Sequence, residues 1–112
     1  MDTKKGLLST KVKHSKYLQV ITYFKDVGID KFLSEIVASI DQKDEPVIEQ
    51  NINAYKVTAE LLGADLITDV CQNLANNMKN PEKSNECLAE LREAGEKTKS
   101  AINEYLHKVE RI

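Results

Sequence analysis

The chain has 112 residues, 41% hydrophobic and 30% charged, with a formal net charge of −2. That is one domain, long enough to bury a core without disulfide or metal staples, and its apolar runs are too short to span a membrane. Four Gly, two Pro and no Trp leave little room for β-turns and suit a helical core of Leu, Ile, Val and Ala.

The opening stretch, MDTKKGLLSTKVKHSKY, has no apolar core of signal-peptide length, so the chain reads as cytoplasmic. Residues 1–25 hold six Lys (4, 5, 11, 13, 16 and 25) against Asp2, a local +5, which leaves −7 for the remainder. Basic arms serve nucleic acid or anionic membranes, but no Arg, Phe, Tyr or Trp is interleaved with the first five Lys. The expectation is therefore a soluble, flexible basic leader over residues 1–9, with neither nucleic acid nor membrane as a partner.

Five helical segments follow, without strand-like alternation. The first, residues 10–26, carries Tyr17, Leu18, Ile21 and Phe24 at helical spacing and ends before Gly28. The second, residues 30–42, sets Phe32, Leu33, Ile36, Val37 and Ile40 on one side, with Asp30 where an N-cap belongs. The segment DQKDEP interrupts the pattern, and Pro46 suits the first turn of a third helix over 46–62. Asp41, Asp44 and Glu45 place negative charge at the positive end of its dipole. Ile48, Ile52, Tyr55, Ala59 and Leu62 form its core stripe.

Gly63 closes that helix and reverses the chain into a fourth over 64–79. Leu66, Ile67, Val70, Cys71, Leu74 and Met78 are predicted inward, and Asn80-Pro81 is the stop. The last helix, about 82–110, repeats Leu88, Leu91, Gly95, Thr98, Ile102, Tyr105 and Val109 in steps of three and four, the mark of shallow-angle packing. The predicted fold is all-α: an antiparallel up-down four-helix bundle with a short leading N-terminal helix, as one domain over 1–112. A monomer is expected.

Cys71 and Cys87 lie far from any His cluster and fall on apolar faces, where a free Cys packs as a small hydrophobe. No metal or cofactor is expected. Opposite the core stripe of the third helix lie Glu49, Asn53, Lys56 and Glu60, at steps of four, three and four. Taken alone, such a stripe is a solvated face with helical charge pairs.

The stretch INAYKVTAELLGAD resembles the histidine-containing phosphotransfer domain, a four-helix bundle that relays phosphoryl groups in two-component signalling. The family's motif is a His, a Lys three residues later, a small residue at four, and a Gly at ten before a fourth helix. Counted back from Gly63, the His position falls on Asn53 and the Lys position on Lys56. Ala59 stands at a small position, Leu62 at the apolar one before the glycine, and Cys71 where the family often has a Cys. The segments DVGIDKFLSEIVASI and DEPVIEQNINA look like the family's second helix and the lead-in to its third, so the likeness covers roughly residues 20–80.

Two departures matter. Asn53 replaces the phosphoacceptor, and Val57 replaces the small residue beside it. An imidazole nitrogen attacks phosphorus, whereas a carboxamide nitrogen delocalises its lone pair into the carbonyl and is no nucleophile. Asn at this position also marks the family's inactive members, which dock on signalling partners but do not relay. The resemblance thus implies a pseudo-phosphotransfer protein with no catalytic residue, which binds a receiver or histidine-kinase domain through Gln50, Asn53, Lys56, Val57, Glu60, Asn76 and Lys79.

No enzyme is expected. Glu49 and Glu60 lie roughly 16 Å apart by helix rise, too far for an acid–base pair. His14 and His107 lack a Lys at three and a Gly at ten, and read as surface residues. Two alternatives stand: a relay through one of these histidines, or a helical-bundle adaptor unrelated to two-component signalling.

Overall fold

The structure, a computed structural model, describes residues 1–110; the last two residues of the expected 1–112 domain lie outside the described residues. In chain order it runs α1 (Thr3–Thr10), α2 (His14–Tyr23), a π-helical turn (Phe24–Gly28), α3 (Ile29–Asp41), α4 (Glu45–Leu62), α5 (Asp65–Asn76) and α6 (Pro81–Glu110). Among the described residues there is no strand, and the principal extents are 47 × 23 × 19 Å. α3 packs on α4, α4 on α5 and α5 on α6, while α6 returns to α2, the π-turn and α3.

The α4–α5 hairpin follows directly from local chemistry. Asp44 caps α4, its Oδ1 accepting from the Val47 amide at 3.4 Å, and Pro46 sits in the first turn. Gly63 at φ 83 ends the helix in the left-handed region, which costs a side chain but not glycine. There the Ala64 amide donates to Ala59 O at 2.8 Å and the Gly63 amide to Glu60 O at 3.2 Å. Those crossed bonds are a Schellman stop. Asn80 then caps α6 by accepting from the Lys83 amide at 3.3 Å.

Two expectations are corrected. No helix ends before Gly28: the chain stays helical from His14 to Asp41, and Gly28 itself has φ −61. The apolar positions slip phase between Phe24 and Ile29, and a π-turn absorbs the extra residue without breaking the helix. Asp30 is accordingly no N-cap; its Oδ1 accepts from Lys99 Nζ at 2.7 Å and ties α3 to α6.

Residues 1–9, expected as a flexible leader, contain most of α1. Asp2 caps it by accepting from the Lys5 amide at 3.0 Å, while the Asp2 amide donates to Gly63 O at 2.8 Å. Gly6 is buried where a Cβ would collide with Leu62 O and the Tyr17 hydroxyl, so only glycine lets α1 lie this close to the end of α4. The sequence pattern missed this helix because a glycine and a short lysine-rich face do not advertise one.

The core collects the α4 stripe Ile48, Ile52, Tyr55, Ala59 and Leu62 with Ile67, Val70, Cys71 and Leu74 of α5. Leu91, Ala94 and Ile102 enter from α6, and Tyr17, Ile21, Phe24, Ile29 and Ile36 from the long helix. Leu88, Tyr105 and Met78 are only partly buried. Leu66 is the exception to the α5 expectation, at 46% exposed. It lies one residue off the stripe begun by Ile67, about 100° around the helix.

Candidate docking face on α4 and α5

Asn53 stands exposed at the middle of α4, on the side away from Ile52 and Tyr55. Gln50, Val57 and Glu60 are exposed with it, and Lys56 is half-buried. The α4 residues of the expected site therefore share one outer face, as the helical repeat requires.

Lys56 does not project freely. Its Nζ donates to Gln72 Oε1, and Gln72 Nε2 donates onward to Asn76 Oδ1 at 3.0 Å. The ladder crosses from α4 to α5 because the hairpin sets residues equidistant from its turn against each other. The same register brings Asn76 to within about a residue of the Asn53 level. Lys79 lies past the end of α5, exposed in the turn before α6, about one helical turn beyond Asn53.

Two residues of this face were not singled out from the sequence. Gln72 was legible only once the hairpin register was fixed. Leu61, 45% exposed, continues the apolar edge begun by Val57 at 52%. The spacing of Leu61, four residues after Val57, was the available signal. The face thus pairs a polar strip, Asn53–Lys56–Glu60, with an apolar pair, Val57 and Leu61.

His14 and His107 lie elsewhere. His14 Nε2 meets the Tyr105 hydroxyl at 2.8 Å, joining the start of α2 to α6, and His107 is exposed near the end of α6. Cys71 is enclosed, and burial pushes its thiol up to about 12; burial also raises the Cys87 thiol. Neither presents a thiolate. Among the described residues no group of three His, Cys, Asp or Glu is arranged to hold a metal. A groove of about 530 Å³ runs between α3 and α6, lined by Ile29, Leu33, Val37, Asp41, Arg92 and Gly95 among others, and takes nothing from α4 or α5. It is separate from the Asn53 face.

No protein-family model matches the chain, and no curated protein or solved structure matches it.

Proposed function

We propose that the chain is a catalytically inactive phosphotransfer-like module that docks on a receiver or histidine-kinase domain and modulates a phosphorelay without carrying phosphate. One observation supports this most. Asn53 is solvent-facing at mid-helix, three residues before Lys56 and ten before the left-handed Gly63, where the resembled family bears its phosphoacceptor. In this proposal α3, α4, α5 and α6 form the antiparallel up-down bundle, α2 leads into it, and the protein acts as a cytoplasmic monomer.

The chemistry at the centre is that of a contact, not a transfer. The Asn53 carboxamide offers a donor and an acceptor to a partner but no nucleophile, and Val57 fills the approach beside it. Lys56, Lys79 and the amides of Gln72 and Asn76 suit an acidic receiver pocket, with Val57 and Leu61 supplying apolar area.

The test is incubation with a phosphorylated receiver. Wild-type protein is expected to bind it and gain no acid-labile phosphate. Asn53→His alone restores little, because misplacement of about 1 Å can cost a hundredfold; adding Val57→Gly restores more. Phosphorylation of the wild type that disappears on mutating His14 or His107 would overturn the proposal.

The exposed Val57–Leu61 edge also favours a second reading, an adaptor unrelated to two-component signalling. A pulldown that recovers other proteins through this edge, and no receiver or kinase domain, would select it.

A further inference from the structure

Helix α1 uses only one of its sides. Thr3, Gly6, Leu7 and Thr10 turn toward the protein, while Lys4 and Leu8, one helical turn apart, face away. Leu8 is 77% exposed, more than any other large apolar residue described. Lys11, Val12 and Lys13 come next in the corner between α1 and α2, and Lys16 lies in the first turn of α2, all exposed. Lys5 pairs with Asp65 at 2.8 Å, but Lys4, Lys11, Lys13 and Lys16 make no ion pair with any described residue.

This corner occupies the Gly63 end of a particle 47 Å long. The opposite end holds the α3–α4 and α5–α6 turns, where Asp41, Asp44, Glu45 and Glu82 stand among Lys43, Lys79 and Lys83. An unpaired lysine cluster thus sits at one end of a chain whose net charge is negative, which gives the molecule a preferred orientation toward an anionic surface.

We propose that the α1–α2 corner docks on an anionic lipid bilayer, with Leu8 entering the interface and Lys4, Lys11, Lys13 and Lys16 among the headgroups. The complementarity is of two kinds. Four cations without protein partners meet lipid phosphates and carboxylates, and an apolar side chain set among them meets acyl chains. Nucleic acid would satisfy the lysines but has no place for Leu8; the corner offers no Arg, and its exposed ring, His14, is held edge-on to Tyr105 with its Nε2 on the Tyr105 hydroxyl. A single leucine makes the attachment reversible and salt-sensitive. With the opposite end pointing away from the bilayer, the Asn53 face, halfway along α4, stays open to a protein partner.

The full chain is tested by flotation with phosphatidylcholine vesicles, with and without phosphatidylserine, at low and at physiological salt. Binding is expected only when phosphatidylserine is present and is stronger at low salt. Lys4→Gln with Lys11→Gln should weaken it about thirty-fold, and Leu8→Ser about tenfold. All three positions are exposed, and circular dichroism checks that each variant keeps its helices. No binding at low salt, or a Leu8→Ser variant that binds like wild type, would overturn the proposal. Tighter binding to duplex DNA than to the anionic vesicles would also overturn it and assign the corner to nucleic acid.

Discussion

The Tyr17 hydroxyl of α2 donates to the carbonyl oxygen of Leu62, 45 positions later, at 2.8 Å. Leu62 is the last residue of α4, so its carbonyl has no partner within the helix. The tyrosine supplies one, and Gly6 lies against both atoms. Tyr17→Phe leaves a buried carbonyl unsatisfied and is expected to cost about 1–3 kcal/mol, measured as a lower denaturant midpoint at unchanged slope.

The same substitution at Tyr55 should act in the opposite direction. Its ring stacks on Phe32 at 5.0 Å and lies 6.2 Å from Phe24, but its hydroxyl is buried without a hydrogen-bond partner. Tyr55→Phe keeps the stack and removes a desolvated donor. Stability is expected to stay level or rise by up to about 1 kcal/mol. A loss as large as that of Tyr17→Phe would mean that the hydroxyl does bond.

Alkaline pH should lower the protein's stability progressively. Burial pushes the Cys71 thiol from 9.0 up to about 12. Burial, with the charges of Tyr105 and Asp2, raises Tyr17 from 10.0 to about 12. Both acids hold their protons more tightly when folded, so the unfolded chain ionises first. Their contribution is complete below pH 9 and shrinks as pH climbs toward about 12, Cys71 acting before Tyr17. Cys71→Ala should flatten the early part of the decline in denaturant titrations run at successive pH values, whatever it costs at neutral pH.

Gly6→Ala should lift α1 off the end of α4, since the added methyl meets backbone at Leu62 and cannot be accommodated by a side-chain rotation. Trypsin is expected to cut at Lys4, Lys5 and Lys11 faster than in wild type, while the remaining helices keep their circular dichroism. Equal cleavage rates would show that α1 does not need this approach.

Lys56→Glu combined with Lys79→Glu should slow association with a receiver more than it speeds dissociation, because charges at a rim steer encounter. Surface plasmon resonance at two salt concentrations separates the rates. Unchanged association would remove these lysines from the docking face.

The α4–α5 hairpin was the most legible part of the fold. Asp44, Pro46 and Gly63 are local signals that act through backbone chemistry, and the stripes on either side have unambiguous phase. The 14–41 helix was not, because a slip in apolar phase next to a glycine looks the same whether the helix breaks or takes a π-turn. Helix α1 was hidden for a different reason: what holds it is tertiary, a glycine against a carbonyl and a tyrosine hydroxyl from other helices. Within the candidate site, Gln50, Asn53, Val57 and Glu60 fell on one face because they share a single helix. Gln72 needed the neighbouring helix and its register, which sequence spacing alone does not supply.

The π-turn also determines where this helix tolerates a change of length. A five-residue turn, Phe24–Gly28, holds one residue more than an α-helical path requires. Deleting a residue there lets the turn relax to ordinary helix, with Tyr17 and Ile21 before it and Ile29 and Ile36 after it still facing the core. The same deletion between Leu33 and Glu35 rotates the end of α3 by about 100° and draws Ile36 away from α4. The long helix thus has one position where the chain can lose a residue and keep its packing.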